Sequence, residues 1–476
     1  MINNISKIWM LVIAAVLLTA VSCQKDYPEN VDSPYQVVLK SIKIINAGQN
    51  GNTVVDGVID EVTKTVSFPR LDTMTDFSNI KFEATMSDGA TLDQSSYAFN
   101  FGVGASANSS VIKVINDTRF REYMVTLRKL VPVYGADFGK PTIYDNTNND
   151  LGNPVYPSFT SLLTRGSGFD GENVLIVSRA SFSVPNPQIL KVSDLRNNVV
   201  TPQYLNVTGV SGGTYPVNVG AQINGHTYIA NLSGGQISPF KIYHWTDPTA
   251  APDVIANLNI ASIPGAGVRH GDNMSANLDA NGNGYFYFGD NAVSKILRLK
   301  VTNYTTVSDP TVLTNASGST FVMSFNQVGN TGDYIYTGYD APIRVANESA
   351  AISFALASTA VPLRGSDARV IHFNGERYLI MTTAARSGSD AVVLYVYDIS
   401  RGATTTEALS IFNDKADKSA IYSYPLLGPT NSAPGTQTGW HVTKDANGKD
   451  DKLTLYTASA DAGFVIIDFP KKVLED

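Results

Sequence analysis

The sequence predicts an all-β protein: an Ig-like β-sandwich followed by a β-propeller, six blades favoured and seven the alternative count. Three observations carry that prediction. The 476 residues include 38 Gly and 22 Pro, and 16% are charged against 43% hydrophobic, the balance of a folded chain with many turns and not of a disordered one. Short runs rich in β-branched and aromatic residues recur, punctuated by Asn-Gly and Asp-Gly, the pairs that tight hairpins prefer. Across the larger, C-terminal region a single hairpin signal returns six times, the mark of a repeated sheet unit.

The first residues read as an address. Lys7 precedes the apolar run Ile8 to Leu18, and the small residues Ala20, Val21 and Ser22 follow. A basic start, a short apolar core and a small-residue end predict a secretory signal over residues 1–22, too short for a membrane span of about 20 residues. Cys23 is the only Cys, which excludes a disulfide framework and a Cys-rich metal site. Thr19-Ala20-Val21-Ser22-Cys23 resembles the bacterial lipobox, with Ala20 where Leu is commonest. That resemblance implies a lipidated Cys23 holding the protein on a membrane. Gln24-Lys25-Asp26 resembles the surface-export run of Bacteroidetes lipoproteins, broken by Tyr27 and Pro28 before Glu29, and a plain solvated tether is the alternative. Residues 23–35 are therefore expected to be the lipidated Cys and a tether, and the protein to sit surface-exposed on the outer membrane.

Residues 36–131 are expected to form the sandwich. Alternating runs at Val37 to Ile44, Thr65 to Phe68, Lys81 to Met86, Val111 to Val114 and Glu122 to Leu127 read as strands, with turns at Asn50-Gly51 and Asp88-Gly89. The segments Val66-Ser67-Phe68-Pro69, Ala84-Thr85 with Asp88-Gly89-Ala90, and Arg121-Glu122-Tyr123-Met124-Val125 resemble the Ig-like N-terminal domains of Bacteroidetes lipoproteins. The resemblance implies a spacer.

Residues 132–476 carry the repeat. The turn glycines 171, 225, 282, 332, 375 and 448 are each followed by a short apolar strand, such as Val174-Leu175-Ile176-Val177 or Tyr285-Phe286-Tyr287-Phe288. Six signals predict six blades. The longest gap holds an insertion around 403–437, rich in Thr, Pro and Gly, where a degenerate seventh blade is the alternative. The last blade stops at its third strand near Pro470, so Tyr134 to Tyr144 is expected to supply the outer strand and close the ring.

A residue type that recurs at one repeat position builds the repeat, whereas one unique to a single repeat is a better functional candidate. Asp279, Asn281 and Asn283 match the opening of a calcium loop on paper. Asp445-Ala446-Asn447-Gly448 repeats the start, and Asn281-Gly282 is read as a turn with two positive φ angles, so calcium is the less favoured reading and no cofactor is expected. Asp290 recurs as Asp340, Asp390 and Asp461, expected to cap its own loop. Gly209-Val210-Ser211-Gly212-Gly213 matches a nucleophile elbow but precedes a strand and not the helix that motif needs. The histidines 226, 244, 270, 372 and 441 show no zinc spacing and no pair close in sequence.

The unique residues gather before the inner strands, where they are expected to ring one channel mouth: Tyr215, Arg269, His270, Asp272, Arg364, Asp367, Arg369, Trp440 and His441. Aromatic faces with Arg and Asp suit a carbohydrate, by stacking on C–H faces and forked bonds to hydroxyls. Filling a wet channel is the competing reading. Asp272 and Asp367 are the candidate pair for acid–base cleavage. Without residues 1–22 the chain holds 34 basic and 42 acidic residues, which excludes a large phosphate-binding face and hence nucleic acid. The whole chain resembles Bacteroidetes outer-membrane lipoproteins that join an Ig-like domain to a propeller-like domain of unknown function. The resemblance implies a non-catalytic surface lipoprotein that captures a glycan or other polymer. The alternatives are a polysaccharide hydrolase or lyase, and a scaffold for outer-membrane protein partners.

Overall fold

The computed structural model describes residues 35–160, 164–179, 186–235, 238–290, 295–314, 322–385, 391–428 and 435–473. The expected signal 1–22, Cys23 and the tether up to residue 34 lie outside the described residues, as do 429–434 of the insertion. The chain divides into two compact units, Met1–Pro132 and Val133–Asp476. The described residues are all-β apart from a few short helices, and among them no helix is long and apolar enough to cross a membrane.

In the first unit, two sheets enclose one core. Thr53–Asp56, Leu39–Ala47 and Phe82–Met86 form one sheet, and Val58–Asp60, Thr65–Ser67, Arg119–Arg128, Ala107–Asn116 and Thr91–Leu92 the other. Alternate residues of both sheets, among them Ile42, Ile44, Ile112, Val114 and Val125, meet between them. The buried Tyr123 crosses that core: its hydroxyl accepts from the Leu39 amide and donates to Glu61 Oε1 at 2.7 Å. Thr65–Ser67 runs parallel to Arg119–Arg128, which no hairpin signal can announce because the pairing is non-local.

In the second unit, six four-stranded antiparallel sheets follow one another. Their inner strands are Thr164–Phe169, Tyr215–Ile223, Ser275–Leu278, Met323–Gln327, Gly365–Phe373 and Thr436–Lys444, which define sheets 1 to 6. Each inner strand packs against that of the next sheet, and Thr436–Lys444 packs against Thr164–Phe169, so the ring closes. Sheet 6 takes three strands from the end of the chain and its outer strand, Thr142–Asp145, from before sheet 1. Ile467 pairs with Ile143 and Val465 with Asp145.

The second strand of each sheet is apolar at consecutive positions because neighbours cover both of its faces. Phe286 and Phe288 of sheet 3 join the cluster shared with sheet 2, whereas Tyr287 between them joins the one shared with sheet 4. The insertion holds the helix Thr405–Asp414 and the outer strand of sheet 5, Tyr422–Pro425. Thr404 Oγ1 accepts from the Glu407 amide at 3.1 Å and Glu407 Oε2 accepts from the Ala403 amide at 2.8 Å, a variant of the capping box in which Glu407 reaches the residue before the N-cap. Thr404-x-x-Glu407 is the local signal for this helix, and composition alone does not reveal it.

Thr142–Asp145 is the outer edge of sheet 6, so only alternate amides face the ladder. Of Ile143→Pro and Tyr144→Pro, the variant that removes a ladder amide lowers unfolding free energy by about 1 to 3 kcal/mol, and the other costs less. Denaturant unfolding of the full chain checks this; equal, negligible effects would mean the closing strand contributes nothing.

Candidate functional site

Each inner strand is the edge of its sheet, so one row of its backbone N–H and C=O groups has no strand partner. Side chains bridge all six junctions, reaching inner-strand groups at four of them and the adjoining turn or connection at the other two. Asp170 of sheet 1 accepts from the Gly225 amide of sheet 2 at 2.9 Å, and Asn218 of sheet 2 donates to the Gly271 carbonyl ahead of sheet 3. From sheet 3, Asn277 donates to the Phe325 carbonyl at 2.8 Å and accepts from the Gln327 amide at 2.8 Å. Asn326 of sheet 4 donates to the Ala368 carbonyl at 2.9 Å. Asp367 of sheet 5 accepts from the Thr438 amide at 2.7 Å, and Asp461 of sheet 6 accepts from the Thr164 amide at 3.1 Å.

Inside the ring lies a cavity of about 740 Å³ lined by residues of all six inner strands. Of the nine sequence candidates, Asp272, Asp367, Arg369, Trp440 and His441 line it, and Tyr215, Arg269, His270 and Arg364 do not. Trp440 keeps 38% of its surface exposed. Arg369 Nε donates to the carbonyl and hydroxyl oxygens of Thr438 at 3.0 and 3.1 Å. Arg269 reaches the cavity only through Asp272, which accepts from its Nε at 2.9 Å and its Nη2 at 3.1 Å. Arg364 lies 5.6 Å from the centre of the Tyr339 ring.

Several expectations need correction. His270 is 1% exposed, with its Nε2 3.9 Å from Asp290 Oδ2, so it is a core side chain and not a mouth residue. Asp272 and Asp367 both line the cavity, where Asp272 is engaged by Arg269, and Asp367 by Asn326 at 2.6 Å and the Thr438 amide. Burial pushes the Asp272 carboxyl up, against the downward pull of Arg269. Asp290 and Asp461 accept from the Arg269 and Thr164 amides, joining connections distant in sequence. Asp390 lies outside the described residues.

The sequence missed Arg165 and Arg179. Arg165 is 3% exposed, and burial followed by the charge of Arg179 brings its pKa down to about 10. The Arg179 guanidinium stacks 3.8 Å from the centre of the Tyr215 ring. Both act on the charge of Asp272, a grouping that no sequence interval encodes.

The calcium-like segment is a turn. Asp279 Oδ1 accepts the Asn281 and Asn283 amides at 2.8 and 2.9 Å, and Asp445 holds Asn447 and Lys449 in the same way. Only the glycine of each Asn-Gly has positive φ there; two positive angles occur at Asn224-Gly225 and Asn374-Gly375. Ser211 sits in the glycine-rich connection before the strand Tyr215–Ile223. A histidine pair that sequence spacing hides lies across sheet 2, His226 Nδ1 to His244 Nε2 at 2.8 Å, with Tyr304 stacked 3.8 Å from His226.

Residues 25–472 match the family described as a domain of unknown function, DUF4623. The chain belongs to the DUF4623 family. A crystal structure of a DUF4623 family protein from Bacteroides eggerthii is 42% identical, covers 91% of this chain and 98% of its own, and superposes with a TM-score of 0.77. A putative glucose dehydrogenase from Thermus thermophilus is 11% identical over 69% of this chain and 100% of its own, TM-score 0.34. A GH43 β-xylosidase/α-arabinofuranosidase from a compost metagenome, in complex with xylotriose, is 12% identical over 62% of this chain and 96% of its own, TM-score 0.31. Likeness as low as these last two carries no argument about this DUF4623 chain. No curated protein matches the sequence.

Two outcomes are expected. Asp367→Ala strands the Thr438 amide and removes an Asn326 contact, lowering stability by about 2 to 3 kcal/mol in denaturant unfolding. For pH, burial and then His226 hold His244 down at about 4, against the opposing charge of Asp253, and burial holds His270 at about 4. Folded-state values below the unfolded value of about 6.5 mean the neutral forms are favoured on folding. Their contribution is therefore complete above about pH 6.5 and is lost as pH falls towards 4. The unfolding midpoint drops across that window, and drops less in the variant combining His244→Phe with His270→Phe.

Proposed function

We propose that this protein is a surface-exposed, lipid-anchored outer-membrane protein that binds a glycan or other polymer in the central cavity without cleaving it. In this reading the first unit is an Ig-like spacer, the second a six-bladed β-propeller, and Cys23 the lipid attachment. The single observation that carries the binding reading is the cavity itself, where Trp440 stands exposed beside the fixed guanidinium of Arg369. A flat aromatic face and a forked donor are what a polyhydroxylated ligand needs for stacking and for hydrogen bonds to adjacent oxygens.

The absence of cleavage in this reading is supported by the state of the carboxylates. An acid–base pair must reach the scissile bond with both groups, but Asp367 is spent on joining sheets 4, 5 and 6. Asp272 alone favours the enzymatic alternative, since burial raises it towards the protonated form of a general acid. The Bacteroides source of the 42% identical family member agrees with the Bacteroidetes-type export run at Gln24-Lys25-Asp26.

The test is a glycan array followed by calorimetry on the chain from Gln24 onward, with product analysis on every binder. Binding without product is expected, and Trp440→Ala should weaken it roughly tenfold or more. Product release abolished by Asp272→Asn would favour the enzyme. A co-purifying outer-membrane protein without glycan binding would favour the scaffold.

A further inference from the structure

We propose that the cavity selects an acidic saccharide, with its anionic group on Arg369 and a sugar face on Trp440; this rests on the glycan-binding reading and narrows it to a charge class. Arg369 stands on the inner strand of sheet 5 and lines the cavity. Its Nε is held by both oxygens of Thr438, and its Nη2 lies 3.7 Å from Asp367 Oδ2, beyond hydrogen-bond length. The guanidinium is therefore fixed in place while its two terminal nitrogens have no hydrogen-bond partner among the described residues. Thr438 and Trp440 are two apart on one strand and so share a face, which sets the aromatic platform next to the fork.

The carboxylates of the lining are otherwise engaged. Asp170 holds the Asn173 and Gly225 amides at 2.8 and 2.9 Å, Asp272 is chelated by Arg269, and Asp279 holds two amides of its own turn. Asp367 joins three sheets. Asp450 is paired with Lys444 and accepts from the Asn374 amide at 2.6 Å. Arg369, ion-paired with Asp367 at 3.7 Å, thus keeps terminal nitrogens outside any hydrogen bond among the described residues, and a bound oxyanion fits its planar fork. Arg269, Arg165 and Arg179 all pull the Asp272 carboxyl down, against the upward push of its burial.

Carboxylate and sulfate share this chemistry, so the experiment separates them. The chain from Gln24 onward is titrated calorimetrically with a polyuronate oligosaccharide, with its carboxyl-reduced counterpart, and with a sulfated oligosaccharide of equal length. An acidic arm should bind about tenfold or more tighter than the reduced one, the gain of one charge-assisted fork, and added salt should narrow the gap. Tighter binding of the sulfated arm than of the polyuronate would assign sulfate as the anion. Arg369→Lys keeps the charge, loses the fork and should reduce the acidic-to-neutral ratio. Equal affinity for the polyuronate, sulfated and reduced arms would overturn the inference while leaving glycan binding intact. If no arm binds and the glycan array is also blank, the glycan reading itself falls, and this inference with it.

Discussion

Six inner strands are sheet edges turned towards the middle of the ring, and their unpaired backbone groups have to find partners there. A buried amide or carbonyl without one costs about 1 to 3 kcal/mol, and a ring of six edges multiplies that cost. The chain meets it with short polar side chains at the junctions, among them Asp170, Asn218, Asn277, Asn326, Asp367 and Asp461. These contacts hold each sheet at a fixed spacing from the next and thereby set the width of the cavity. The hydrophobic clusters between sheets contribute most of the burial, but they are non-directional; the polar bridges fix position.

The spacing is not uniform, and glycine shows where it tightens. A Cβ on Gly166 would lie 2.7 Å from the Val219 backbone, and one on Gly168 would lie 2.4 Å from the Gln222 amide. The inner strands of sheets 1 and 2 therefore meet backbone to backbone. Between sheets 5 and 6 the gap is instead spanned by Arg369 and Thr438, and Trp440 and Arg369 face the space that this leaves.

That same demand for partners accounts for the success and failure of reading the site from sequence. Residues that occur in a single repeat make reasonable candidates, and Trp440 and Arg369 do line the cavity. Yet the junctions place their Asn and Asp bridges at differing points of the repeat, so uniqueness also picks out Asp367, which belongs to the frame. His270 is selected on the same ground and lies in the core. Arg165 and Arg179 escape such a filter because their meaning lies in a shared neighbourhood with Asp272, assembled from connections about 100 residues apart.

The sequence alone determined the all-β character, the hairpin positions and their number, because turn chemistry and strand periodicity are local. It also implied that a strand from the start of the second unit would complete the last sheet, since the final repeat is one strand short. Only the tertiary structure decided which polar residues bridge sheets and which remain open to a ligand. Whether a carboxylate is spent or available depends on the amide that happens to face it across a junction, as Thr438 faces Asp367, and no interval along the chain records that encounter.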